Sequence, residues 1–597
     1  MKVPAFYHAA TFFLLLLFGF SRAEGQEKMR AVGRADASQD VQFDVYLPLQ
    51  RSSELDLLLV RLHTPGSPQY HKWLTPTEFR QHFGARTQDI ALVTDALKSY
   101  GLEVSSTDSH SLHVRGKANI VENALGVQLS TAVSTSGQTK LVTNQELTLP
   151  PVLNQVGAQI VHFSPFIRMH RNSHNLGKIP ASRYSPIGGY WFDDLKQAYA
   201  YPSYKVLTGK GVKVGVLMSG GYKLSDMHQY FHHERLATPK ISEVKIVGGA
   251  PFDPNFSFET HLDIQQVGGM APGAHIVLFN LPDLSDASVL AGLTTIVESN
   301  SVDVVNMSFG GPEIGYLPQY NSGVNQLGIL RVYEDLLKQG SAQGITFVAS
   351  SGDLGAFAVP TAACFIPGST SKCGGFKLSV ITPASSPHVT GVGGTNLVTT
   401  FDPPSLNSRY VKENAFPDPL AQDIFYGTPA RGGVWASGGG VSIFFKKPPY
   451  QFLVNSPSKY RTVPDLALHM GGCPFGAVSP CGPDRSFDVV AIAGAFYGVI
   501  GTSASSPDFA GLIALKIERL GGRLGNENFE IYSLAAAQFS GNLPFKVYHQ
   551  GIPGSNGRYH THPGYNLVLG NGTLFGKNFL LAPNVPSAGA PQTPTNP

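Results

Sequence analysis

The sequence predicts an α/β protein, with a large domain on a mainly parallel sheet flanked by helices and a smaller α+β unit before it. Two observations carry this expectation. Beyond Trp191, short β-rich apolar runs (VKVGVLM, HIVLFNL, VDVVNMSF, GITFVAS, HVTGVGG) alternate with helical patterns. Runs apolar throughout suit strands buried on both faces of a parallel sheet. Between about residues 40 and 166, extended runs (VQFDVYLPL, SLHVRG, TKLVTN) alternate with the helix-like stretches SSELDLLLVRL and TQDIALVTDALKSYG. That pattern fits a small unit with an antiparallel sheet.

In chain order, the first element is MKVPAFYHAATFFLLLLFGFSRAEGQ. One Lys, an apolar run from Ala9 to Phe20 and the small-x-small triplet Ser21-Arg22-Ala23 read as a signal peptide over residues 1–23. The run is too short to span a bilayer, so the expectation is a secreted protein with no stable membrane insertion after cleavage. The small unit follows at residues 24–167. Residues 168–190 (RMHRNSHNLGKIPASRYSPIGGY) are basic, polar, rich in Gly and Pro and without apolar period, which reads as an exposed linker and a place to cleave. The large domain takes residues 191–581, and the Pro-rich residues 582–597 read as a disordered tail.

Composition narrows the partners. The 597 residues are 42% hydrophobic and 14% charged, with Lys+Arg 44 against Asp+Glu 41. That leaves no basic surplus for holding phosphates, so nucleic acid is excluded, and a monomer is expected. The four cysteines fall as two local pairs, Cys364 with Cys373 and Cys473 with Cys481. Neither spacing matches a zinc or redox motif, so two short-loop disulfides are expected, with all three pairings open. His228, His232, His233 and Glu234 lack the spacing of a zinc site; no metal site is read from them.

The chemistry concentrates around Gly501-Thr502-Ser503-Ala504-Ser505. An apolar run precedes it and a helical pattern follows, so Ser503 sits at a helix N-terminus. There, backbone N–H groups and the helix dipole favour negative charge developing on an attacked carbonyl. A lone serine there more often simply caps a helix, so the companions decide. Ser308, Phe309, Gly310 and Gly311 follow VDVVNM and read as the edge that pairs with an extended substrate, the glycines permitting close approach. Asp353 follows GITFVASSG, where a subtilisin-like sheet carries an oxyanion-hole side chain. Glu259 and Asp263 fall where that sheet carries its general base.

A Ser/His/Asp triad would need an Asp after the first strand of the large domain, and VKVGVLMSGGY offers Met218 and Ser219 instead. A histidine-based enzyme using His261 therefore lacks its orienting partner. Glu259 and Asp263, spaced i,i+4, share a helix face and can share a proton. Glu259 is then the base and Asp263 the neighbour that orients and tunes it.

With these residues in place the chain resembles the sedolisins, the serine-carboxyl peptidase family that includes kumamolisin and the tripeptidyl peptidases. SPQYHKWLTPTEFRQHFG (67–84), ASSPHVTGVGGTNL (384–397) and SGGGVSIFFKKPPYQ (437–451) carry the likeness together with GTSAS. The resemblance implies a subtilisin-like catalytic domain behind a ferredoxin-like pro-domain that inhibits it. It also implies Ser503 as nucleophile, Glu259 as base, Asp263 as its partner and Asp353 as oxyanion donor. Peptide or protein substrates are expected, at acid pH, because a carboxyl stabilises an oxyanion only while protonated. Internal cleavage and removal of N-terminal tripeptides both stay open. A catalytically silent extracellular binding protein is the alternative.

Two departures matter. The resemblance implies a calcium site near the C-terminal end of the catalytic domain, but Lys546 and Asn566 replace the expected acids, and calcium needs several oxygens with anionic charge among them. No calcium is expected. The pro-segment and linker also carry His63, His71, His82, His110, His113, His162, His170 and His174, eight of 19 histidines. They suggest a trigger in which acid charges the segment and loosens its grip.

Overall fold

The computed structural model describes residues 30–582 apart from 134–138, 144, 165–166, 180–188, 322, 359–375, 403–406, 421–432, 457 and 473–484. The signal peptide, all four cysteines, most of the tail and residues 180–188 of the linker lie outside the described residues.

The large domain is built on a sheet of ten strands. Lys240–Lys245, His275–Leu281, Lys213–Ser219, Val304–Met307, Thr346–Ser350, Val389–Asp402 and Leu466–His469 run side by side and parallel in that order. Val304–Met307 and Thr346–Ser350 are buried at every position, which is why their sequences show no in–out alternation of apolar and polar residues. Helices Phe258–Met270 and Thr502–Leu520 pack on each other across this sheet. The result is the subtilisin-like α/β arrangement expected from the strand and helix pattern.

The pro-domain sheet has the strand order Glu103–Thr107, Ser111–Lys117, Asp40–Tyr46, Gln159–Ile160, all antiparallel. With helices Thr87–Ser99 and Ala118–Leu125 between strands, this is the ferredoxin-like order. Its own core includes Phe43, Val45, Leu97, Leu112 and Val121.

Helices Ser52–His63 and Pro76–Phe83 dock the pro-domain on helices Leu327–Ala342 and Asp286–Ser299 of the large domain. The second of these docking helices starts with a reciprocal cap. Thr75 Oγ1 accepts from the Glu78 N–H at 3.2 Å, and the Thr75 N–H donates back to Glu78 Oε2 at 2.7 Å. Just before the cap, Trp73 packs so closely that a Cβ on Gly344 would lie 2.7 Å from its ring. The motif at residues 67–84 is thus a docking surface. Polar ties add to it: Arg80, within the motif, to Glu298 at 2.9 Å, and Lys338 to Asp56 of the neighbouring helix at 2.7 Å.

Candidate active site

The carboxyl ends of the parallel strands gather the candidate residues, as open α/β sheets do with their ligand sites. Ser308 follows Val304–Met307, and Asp353 lies three residues past Thr346–Ser350. Glu259 and Asp263 occupy helix Phe258–Met270, and Ser503 is the second residue of Thr502–Leu520. All five are buried. So is every residue of Phe258–Met270, and it carries its polar side chains into the interior, where each needs a partner.

Asp263 Oδ1 accepts from Ser308 Oγ at 2.5 Å, which in turn accepts from Asn306 Nδ2 at 2.9 Å. Asn306 Oδ1 accepts from Ser506 Oγ at 2.6 Å, closing a relay from the serine helix to the acid helix. Burial and the neighbouring Glu259 push the Asp263 carboxyl well above its ordinary range, so Asp263 is a proton-retaining group. Asp353 is also pushed well above its ordinary range by burial, against the bonds it accepts from Thr502. Its Oδ1 accepts from the Thr502 N–H and Oγ1, both at 2.7 Å. Its Oδ2 is buried without a hydrogen-bond partner among the described residues.

Residues 168–179 correct the expectation of an exposed linker. Arg168, His170, Asn172 and Ser173 are buried, because this stretch lies along the cleft as an added strand. His170 and Arg171 pair antiparallel with Gly310 and Phe309, and the Asn172 N–H donates to the Ser308 carbonyl at 3.2 Å. Beyond Ser173, His174–Lys178 pairs antiparallel with Ala495–Ile500. A polar sequence without apolar period can still be buried when its backbone groups are all satisfied by neighbouring strands. Gly311 serves this approach, since a Cβ there would stand 2.8 Å from the Arg168 carbonyl oxygen. Arg168 anchors the upstream end, with Nη1 on Asp286 Oδ2 at 2.7 Å and Nη2 on Asn321 Oδ1 at 2.8 Å.

The junction of the two strand pairings falls on the Asn172–Ser173 bond. The Ser503 N–H donates to the Asn172 carbonyl at 3.0 Å. A Cβ on Gly501 (φ +135°) would lie 2.2 Å from that carbonyl oxygen and 2.6 Å from Asp353 Oδ2, so both oxygens converge on the same side of a position that only glycine can fill. Ser503 Oγ donates to the Ser308 carbonyl at 3.1 Å, while the hydroxyl of Ser173 donates to Glu259 Oε2.

Comparison with known proteins agrees with this layout. The model described as "Pro-kumamolisin, activation domain" matches residues 27–163, and that of the "Subtilase family" matches residues 245–538. Kumamolisin of Bacillus sp. (strain MN-32) is 26% identical, covering 97% of this chain and 97% of its own length. Sedolisin of Pseudomonas sp. (strain 101) is 26% identical over 90% of this chain and 86% of its own.

The chain belongs to the sedolisin family of serine-carboxyl peptidases. Tripeptidyl-peptidase 1 of Homo sapiens is 25% identical, covering 84% of each chain. The solved structure of Pseudomonas sedolisin with two molecules of pseudo-iodotyrostatin shares the fold with a TM-score of 0.51, at 23% identity over 66% of this chain and 97% of its own.

In this sedolisin, His261 is engaged by backbone on both sides. Its Nδ1 bonds the Ala491 carbonyl at 2.9 Å and its Nε2 accepts the Lys223 N–H at 3.3 Å. The residues at the family's calcium position do not fit a calcium ion. Asn566 Nδ2 donates to the His562 and Gly564 carbonyls at 3.2 and 3.4 Å, and Asn566 Oδ1 accepts from the Val568 and Leu569 N–H groups at 3.1 and 3.0 Å. Carbonyls already bonded to an amide N–H, with an asparagine in place of the expected acid, are a poor cradle for a hard dication.

Asn306, Thr502 and Ser506 were not singled out from the sequence. The available signal was polar residues inside otherwise apolar runs, VDVVNMSF and the helix after GTS.

Proposed function

We propose that the chain is the self-inhibited zymogen of an exported, acid-active serine-carboxyl endopeptidase that cleaves peptide bonds through an acyl-enzyme on Ser503. The observation that carries this is the chain's own segment lying across the cleft as a substrate would, with the Asn172 carbonyl on the Ser503 N–H.

In this reading Ser503 Oγ attacks the bound carbonyl carbon and passes its proton to Glu259. Asp263, holding its own proton through burial, donates towards its partner and stabilises the ionised base. The negative charge forming on the carbonyl oxygen meets the Ser503 N–H and the protonated Asp353. Glu259 then returns its proton to the leaving amine, and a water deprotonated by Glu259 frees Ser503.

Because Asp353 acts only as the neutral acid, activity is present below its pKa in the site and fades as pH rises through it. Burial raises that pKa, which widens the acid range in which the donor works.

Internal cleavage is favoured over tripeptide removal by a specific feature. Residues 168 and 169 continue upstream of the three residues before the bond, and Arg168 is held there by Asp286, so the cleft admits a chain longer than three residues. The N-terminal residues read as a signal peptide support export. Among the described residues no helix is long and apolar enough to cross a membrane.

The test is mass spectrometry of the purified precursor after incubation at about pH 4 and about pH 7, values that bracket carboxyl and histidine titration, with Ser503→Ala alongside. Cleavage between Asn172 and Ser173, only in acid and only with Ser503, is the expected result. No cleavage at either pH, and no peptide hydrolysis after another protease removes the pro-domain, would leave the silent binding protein.

A further inference from the structure

The cleft also shows what it reads at the residue before the cut. Asn172 is fully buried, and its side-chain Nδ2 donates to Ser350 Oγ at 2.7 Å. Ser350 is itself fully buried at the end of strand Thr346–Ser350, three residues before Asp353. The hydroxyl that meets the side chain and the carboxyl beside the carbonyl thus hang from one rigid strand end. The next side chain, Ser351, points its Oγ to the Gly438 carbonyl at 2.7 Å, which keeps it out of competition for the amide.

We propose that this enzyme is directed to asparagine, with Ser350 as the residue that recognises the carboxamide on the acyl side of the bond cleaved. Water adds across an Asn–X bond, leaving an asparagine carboxylate and a free amine on X. The proposal rests on the peptidase reading above and names its substrate class.

The physical case has three parts. A leucine of similar size would leave the buried Ser350 hydroxyl oxygen without its donor, and a site built around a polar contact rejects an analogue that lacks it more strongly than an apolar pocket rejects a missing methylene. An ionised aspartate would present no N–H to Ser350 and would bring a second negative charge into the buried site of the base Glu259. A small side chain such as alanine would leave a void at a fully buried position. The neighbouring subsite adds a second preference. Arg171 donates from Nη2 to the Ser219 carbonyl at 3.3 Å, and its guanidinium lies 5.8 Å from the Phe256 ring centre, a cation seat on an aromatic face.

The experiment uses the full chain, processed in acid or by an added protease, on the blocked peptide RMHRNSHNLG, the chain's own residues 168–177. Versions carry Asp, Leu or Ala in place of the first Asn. Cut position is read by mass spectrometry and kcat/KM by initial rates. The expected result is cleavage after the first Asn with kcat/KM about tenfold or more above the Leu and Ala peptides, the scale of one buried hydrogen bond lost. Ser350→Ala should bring the Asn-to-Leu ratio down by about the same factor. The Leu peptide reports on whether that variant is folded and active, and the wild-type peptide series stands even if it is not.

Equal rates for Asn and Leu, or cleavage at another bond, overturn the asparagine assignment while leaving the peptidase intact. Failure to hydrolyse any of the peptides with the pro-domain removed brings down the peptidase reading itself, and this proposal with it.

Discussion

Replacing His63 by glutamine should make the pro-domain lose less of its grip on the enzyme between pH 7 and pH 4 than the wild type does. His63 ends helix Ser52–His63 and sits between the domains: Nδ1 bonds the Leu59 carbonyl at 2.6 Å and Nε2 accepts the Asn526 N–H of the catalytic domain at 2.7 Å. Its ring stacks on Phe529 at 5.0 Å and leans on Trp73 at 5.3 Å. With Nδ1 donating, Nε2 must be bare, so the docked ring is neutral, and a proton on Nε2 would face the Asn526 N–H. Burial pushes its pKa down from 6.5 to about 3, with the nearby His71 and His388 adding to the shift and the Leu59 bond opposing it. The released pro-domain regains the ordinary value. The contribution of His63 to docking is therefore whole above about pH 6.5 and is lost progressively as pH falls towards 3. At pH 4 the difference is about 2.5 pKa steps, or ~3 kcal/mol, roughly two orders of magnitude in affinity. The assay is dilution of the nicked complex at pH 7 and pH 4, with release read as activity on an external peptide. Each protein is normalised to its own pH 7 value, because the substitution itself costs some docking. The wild type should weaken by about a hundredfold more than His63→Gln between the two pH values. Equal weakening in both proteins would refute the linkage and move the trigger to the carboxyl groups of the cleft.

Three further outcomes are expected. Ser173→Ala removes the hydroxyl that occupies Glu259, so processing of the precursor should quicken by about tenfold, the scale of a hydrogen bond to a charged group; a time course on gels reads this, and slower processing would show that the contact assists cleavage rather than restraining it. Chelation should leave the melting temperature unchanged, because Asn566 closes its loop with its own carboxamide, whereas Asn566→Ala should cost about 2 kcal/mol by denaturant titration. A drop in melting temperature on chelation, restored by calcium, would overturn the metal-free loop.

The histidines of the pro-segment show where sequence reasoning reached its limit. Their number suggested one set that charges together between neutral and acid pH. The fold splits them. Burial pushes His110, His162, His170 and His174 down to about 4 and His63 to about 3. His113 goes the other way, up to about 10, because Asp108 and Asp44 each accept from its ring. Composition counts titratable groups, whereas the pKa of each depends on the dielectric and charges that packing places around it.

The local chemistry was legible in the chain because it is carried by short-range rules. Period and apolar content marked the parallel strands, the i,i+4 spacing placed Glu259 and Asp263 on one helix face, and GTSAS before a helical pattern placed Ser503 at a helix N-terminus. The Thr75–Glu78 cap could likewise be read from its spacing. The tertiary structure alone decided what residues 168–179 do. Their polar sequence is that of a solvated linker, and their place in the cleft comes from backbone pairing with Phe309, Gly310 and residues 495–500, partners far away in the chain. Backbone pairing is blind to side chains, so no composition could announce it. The meeting of Asn172 with Ser350 and of Ser173 with Glu259 follows from that pairing register, which exists only once both domains are folded and docked.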